Sequence, residues 1–140
     1  MTNRTIGISD KLAAYVVELG TREPELLARL RDETAAIPQH GMQIAPDEGA
    51  FLSILVELLG ARRCIEVGTF TGYSSTAIAL ALPQDGQLIC CDVSEEWTSL
   101  ARKYWEEAGV AGKIDLRIAP AAETLDQLLA DGEELSLIHI

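Results

Sequence analysis

The stretch CIEVGTFTGYSS, residues 64 to 75, places a carboxylate, Glu66, near the end of a short apolar run and follows it with Gly68, Gly72 and a series of hydroxyl side chains. Glycines let a backbone approach a ligand closely, and a carboxylate accepts hydrogen bonds from its hydroxyl groups. A second acid, Asp92, closes another apolar run, QLICCD, 26 residues after Glu66. At the end of a strand such an acid can take both hydroxyls of a ribose.

The elements needed to position these residues follow from the punctuation of the chain. Leu12, Tyr15, Val16 and Leu19 recur at helical spacing before Gly20, and a second helix fits Pro24 to Ala36 with Leu26, Leu27 and Leu30 inward. Pro38 ends it, because the residue before a proline is pushed out of the α region. A third helix opens at Pro46, carries Asp47 and Glu48 in its first turn and stops at Gly60, with Phe51, Leu52, Leu55, Leu58 and Leu59 as its apolar face. After Gly60 short strands and helices alternate. RCIEV, QLICCD and KIDLRI read as strands, YSSTAIALAL, a segment capped by Ser94, and AAETLDQLLADG read as helices, and LSLIHI begins a fourth strand. Strands separated by helices of about 10 to 15 residues form a parallel sheet with right-handed crossovers. The expectation is a single α/β domain over residues 1–140, with helices over 1–60 and a βαβ half over 61–140. Glu66 and the glycines then sit at the carboxyl end of the first strand, where open α/β sheets bind ligands.

Composition limits the ligand. Eleven basic against 22 acidic residues give a net charge of −11 without a Lys/Arg cluster, which argues against nucleic acid, whose binding draws on phosphate neutralisation. No apolar stretch approaches the ~20 residues that span a bilayer, and MTNRTIGISDK lacks the apolar region of a signal peptide; a cytoplasmic protein with no membrane partner is expected. Cys64, Cys90 and Cys91 form neither a disulfide framework nor a C-x-x-C pair and are read as buried core residues. His40 and His139 lack any partner pattern for metal binding or catalysis.

Spacing separates three glycine fingerprints. A dinucleotide G-x-G-x-x-G requires glycine where the chain has Phe70, and a P-loop requires Gly and Lys where it has Tyr73 and Ser74. What remains is E-x-G-x-x-x-G with a hydroxyl-rich tail and Asp92 beyond it, which suits an adenosine without a triphosphate. Local readings stand beside this one: Asp92 can cap the loop before Ser94, Ser74 can bond only to backbone, and Glu66 can be a surface carboxylate at a strand end. Tyr73 and Phe70 read equally as core or ligand-adjacent, Trp97, Tyr104 and Trp105 as helix packing, and Met42 as a pocket wall.

IEVGTFTGYSS resembles the glycine-rich first motif of S-adenosylmethionine-dependent O-methyltransferases of the caffeoyl-CoA/catechol type. MQIAPDEGAFL before it, and CDVSEEW and ARKYWEEAGVAGKIDLRIAPAAETLDQL after it, extend the resemblance over about residues 10 to 130. It implies a Rossmann-like methyltransferase fold, a parallel sheet with N-terminal helices. It places the family's cofactor contacts on Ile44, Glu66, Gly68, Thr69, Ser74, Asp92 and Ala121, with Gly72 as the second glycine of the turn. Ala119 stands where many relatives have glycine, which touches only the tightness of the adenine-side loop. The implied reaction is methyl transfer from S-adenosylmethionine to a phenolic, catechol-like hydroxyl by a homodimeric enzyme. In relatives a divalent cation (Mg, Mn or Ca) is held by two Asp and one Asn, with a nearby Lys as base.

The first of those acids follows the fourth strand in relatives, and this chain stops at Ile140 within that strand. The sequence is therefore expected to be incomplete at its C-terminus, ELSLIHI to be a truncated or aberrant end, and the metal and catalytic residues to lie outside it. Two rivals stay open: a non-catalytic S-adenosylmethionine or nucleotide-binding module, and a nicotinamide-dependent dehydrogenase, disfavoured by Phe70.

Overall fold

The computed structural model describes residues 7–140. Three α-helices precede the sheet among the described residues: α1, Asp10–Tyr15, running into a π-helical turn at Val16–Gly20; α2, Glu25–Thr34; and, after a 3-10 turn at His40–Met42, α3, Pro46–Leu58. Then come β1, Arg63–Val67; α4, Tyr73–Ala81; β2, Gln87–Asp92; α5, Glu95–Glu107; β3, Ile114–Ile118; α6, Ala121–Ala130; and β4, Leu137–His139. The strands order β3-β2-β1-β4 and every pair is parallel, with Glu66 in register with Cys90 on one side and His139 on the other. This is the mixed α/β architecture expected from the alternation of strands and helices.

Strand alternation sorts the core into two layers. Cys64, Leu88 and Cys90 face α3, α4 and α5, packing with Leu52, Val56, Ile78 and Trp105. Ile65, Ile89 and Cys91 face the other way, against Leu128 of α6. All three cysteines are free and buried, as expected. Outside the first layer, α2 lays Leu27 and Leu30 on Tyr73, Ala77 and Tyr104. The caps follow the sequence: the Ser94 hydroxyl accepts from the Trp97 N–H at 3.2 Å at the head of α5, and Pro46 occupies the first turn of α3.

The inward face of α3 differs from expectation. α3 buries Gly49, Leu52 and Val56, whereas Phe51, Leu58 and Leu59 are exposed. Apolar residues occur almost all round this helix, so periodicity could not select a face. The packing partner selects it: Gly49 lies so close to the Tyr73 ring that a Cβ there would stand 2.9 Å from Cε1. On α1 and its π-turn, Leu12, Tyr15 and Leu19 share helical spacing but remain exposed. Leu26 of α2 is half-buried, at the edge of its layer.

Gly72 begins α4 with φ +88, and a Cβ placed on it would stand 2.5 Å from the Ala101 Cβ on α5. Gly72→Ala combines left-handed strain with overpacking, and a loss of about 2 kcal/mol or more is expected in urea unfolding. A variant as stable as the parent would show that α4 and α5 are not packed through this glycine.

Candidate functional site at the carboxyl edge of the sheet

β1 and β2 end side by side, and the segments that leave them wall a cavity of about 470 Å³, within the usual size range of small-molecule sites. Gly68 has φ +90, and a Cβ added to it would meet nothing within 4 Å. The missing side chain is therefore open space beside a left-handed backbone. Phe70 also adopts a left-handed conformation, φ 51, taking at this position the backbone form normally left to glycine. Its ring stands edge-on to Trp97, with centroids 5.1 Å apart.

Asp92 holds this geometry. Its Oδ2 accepts from the Phe70 N–H at 2.7 Å, and its Oδ1 accepts from the N–H groups of Val93 at 2.7 Å and Ser94 at 2.8 Å. The local and the ligand-facing readings of this acid are thus compatible: it fixes two loops and also borders the cavity. Gly68, Thr69, Ser74, Ile44 and Ala121 border the same space. Six of the eight residues singled out in the sequence therefore meet in one cavity.

The other two lie behind its wall. Gly72 faces Ala101 rather than the cavity. Glu66 is fully buried beneath the glycine turn; it is neither a surface carboxylate nor part of the lining. Its Oε1 has no hydrogen-bond partner, and Oε2 faces the Cys90 thiol at 3.9 Å. Burial pushes the Glu66 carboxyl up to about 8, the hydroxyls of Ser74, Ser75 and Thr69 oppose part of that rise, and the charge of Asp92 adds to it. No side chain caps α4, which starts at this turn.

Met42 lines the cavity, as expected, and Tyr73 and Phe70 are both buried and cavity-lining. Tyr104 and Trp105 are packing residues, the latter donating its Nε1–H to Ser75 Oγ at 3.1 Å. Trp97 differs from expectation, since it also borders the cavity. Gln43, Glu48 and Thr71 line it and were not singled out in the sequence. Their places next to Ile44, at the head of α3 and inside the glycine turn were the available signals. Neither Lys nor Arg lines the cavity among the described residues. Nor does any group of three or more His, Cys, Asp or Glu stand where it could hold a metal ion among those residues.

An open parallel sheet with a glycine turn after β1 and an acid ending β2 is common to Rossmann-like nucleotide-binding folds, and comparison with known proteins narrows it to methyltransferases. The O-methyltransferase family model matches residues 17–140; this chain belongs to that family. It is 44% identical over 134 residues to the caffeoyl-CoA O-methyltransferase of Eucalyptus gunnii, covering 94% of this chain and 54% of that protein. Among solved structures it is similar to a putative O-methyltransferase from Klebsiella pneumoniae (TM-score 0.79, 30% identity, 93% of this chain and 59% of that one). It is also similar to the O-methyltransferase TomG from Streptomyces achromogenes, solved in complex with SAM (TM-score 0.81, 29% identity, 91% and 58%). The chain spans about half the length of the curated relatives it matches. No helix among the described residues is long and apolar enough to cross a membrane.

The buried acid gives a pH signature. Between the ordinary carboxyl value of 4.5 and about 8, folded Glu66 holds a proton that the unfolded chain has released. Its contribution to stability is complete below 4.5 and is lost as pH rises through this window, at up to about 1.4 kcal/mol per pH unit. Glu66→Gln should remove that decline in chemical denaturation at a series of pH values. Parallel stability profiles for parent and variant would show that Glu66 is ionised in the free protein.

Proposed function

We propose that the cavity binds S-adenosylmethionine and that the complete protein transfers its methyl group to a phenolic, catechol-like hydroxyl. The observation that carries this reading is one cavity at the sheet's carboxyl edge where Gly68 offers open backbone beside the Asp92 carboxylate. The residues fit the cofactor. Asp92 has one lone pair, on Oδ2, left for a ribose hydroxyl after its three backbone bonds. Gly68 and Thr69 admit the ligand's chain against the backbone, and Ile44 and Ala121 supply apolar walls. Glu66, with an unpartnered oxygen, provides a negative charge beneath the turn once a cationic ligand favours its ionised form. Phe70, standing where the dinucleotide pattern needs its second glycine, weighs against a nicotinamide dinucleotide.

When bound, S-adenosylmethionine supplies an electrophilic methyl group on a sulfonium. This chain's residues bind and orient it, and Phe70, Trp97 and Met42 exclude water from one side. Dependence on a divalent cation is proposed for the complete protein on family resemblance. Among the described residues no group of three or more His, Cys, Asp or Glu could hold that cation. A homodimer and a cytoplasmic location belong to the same proposal. Sedimentation of the complete protein at the protomer mass would contradict the dimer, and fractionation of cells with the membranes would contradict the location.

Two measurements test the reading. In titration calorimetry the chain should bind S-adenosylhomocysteine, and Asp92→Ala should weaken binding by about 1.5 to 3 kcal/mol, the scale of a hydrogen bond to a charged group. Equal affinity in parent and variant would remove Asp92 from the site. In a radiolabelled methyl-transfer assay with S-adenosylmethionine, magnesium and a catechol, the 140-residue chain should show no turnover. Magnesium-dependent turnover by this chain would contradict that expectation and place a working metal site among its own carboxylates.

A further inference from the structure

The cavity has two walls that are distant in sequence. One is the glycine turn, residues 67 to 74, and the other is the segment from Met42 to Glu48 that leads into α3. Neither wall is held by sheet hydrogen bonds to the other; α3 packs on α4 through Gly49 and Tyr73 and the Ser53 hydroxyl donates to the Ala77 carbonyl at 3.2 Å, and a buried polar cluster joins the walls nearer the cavity. Thr71 stands at that junction. It is fully buried, it lines the cavity, and its Oγ1 accepts from two groups on the N-terminal side. The Thr34 hydroxyl on α2 donates to it at 2.9 Å, and the Gln43 side-chain amide donates at 3.5 Å. Thr34 is likewise fully buried, and Gln43 is almost so. A buried donor left without its acceptor is costly, which makes such a cluster hold one arrangement.

We infer that Thr71 is a positioning residue: its hydroxyl ties α2 and the Gln43 wall to the glycine turn and sets the width of the cofactor cavity. The inference rests on the reading of this cavity as the S-adenosylmethionine site. Thr71 acts through Gln43 and the adjoining Ile44 rather than through the reaction. Thr34, which does not line the cavity, supports the same tie from behind. The N-terminal helices are therefore part of the cofactor site and not merely a cover for the sheet.

Hydroxyl and methyl can be separated at this position. Thr71→Val keeps the shape and removes the acceptor, whereas Thr71→Ser keeps the acceptor and removes a buried methyl group. Calorimetry with S-adenosylhomocysteine should show affinity following the hydroxyl, with Thr71→Val and Thr34→Val weakened about threefold to tenfold and Thr71→Ser near the parent. Melting temperature should fall in Thr71→Ser as well, so that affinity and stability part company. Amide exchange at Met42 to Ile44 should rise in Thr71→Val of the ligand-free protein before exchange in β1 and β2 rises. Parent binding with Thr71→Val and Thr34→Val unchanged in affinity overturns the inference alone, as does affinity that falls only with melting temperature across the three variants. Failure of the parent chain to bind S-adenosylhomocysteine overturns both the reading of the cavity and the inference built on it.

Discussion

Asp92 shares its two carboxylate oxygens among three backbone N–H groups, and the shape of the cavity depends on that arrangement. Parallel strands end with amides that the sheet does not pair, and a buried unpaired amide costs free energy. By accepting from Phe70 across the gap between β1 and β2, Asp92 holds a non-glycine residue in the left-handed region, a conformation that costs roughly 1 to 3 kcal/mol when unsupported. The turn can then expose Gly68 to the cavity while Gly72 drops against Ala101 and starts α4. The same carboxylate still borders the cavity, so the group that shapes the site is available to a ligand within it.

The electrostatics point in one direction. Three acids lie within or beneath the cavity, Glu48 and Asp92 in its lining and Glu66 below it, and neither Lys nor Arg lines it among the described residues. A phosphate would lie beside the Asp92 and Glu48 carboxylates, whereas a cationic ligand would favour the ionised form of Glu66, whose carboxyl burial pushes up to about 8. Glu66 makes the difference large, because a buried group with an unpartnered oxygen responds strongly to a nearby cation. This is the physical content of the E-x-G-x-x-x-G pattern: an acid held in reserve under a turn that a ligand can reach through its backbone.

The strand-helix alternation after Gly60 was legible because Gly, Pro and Ser punctuate it at each boundary. The cavity was legible for a related reason, since acids and glycines at strand ends have few structural roles to compete for. The face of α3 was not legible. Apolar residues cover most of α3, and only the close approach of Tyr73 to Gly49 decides which of them turn inward. Phe70 shows the limit of spacing arguments: it excludes one glycine fingerprint by residue type, yet its backbone takes the form a glycine would take. Thr71 and Thr34 are 37 residues apart, and nothing in either neighbourhood announces that their hydroxyls meet. Whether Glu66 lined the cavity or lay under it likewise depended on how tightly α4 closes over β1.

The claim that this is a nucleoside cavity for a cationic, phosphate-free cofactor is tested most directly by titrating the purified chain in parallel with S-adenosylhomocysteine and with NAD. Saturable binding of S-adenosylhomocysteine at one site per chain, with no saturable heat from NAD, is the expected result. Tighter binding of NAD would contradict the account, because a ligand bearing two phosphates would then settle beside the Asp92 carboxylate in preference to a phosphate-free one.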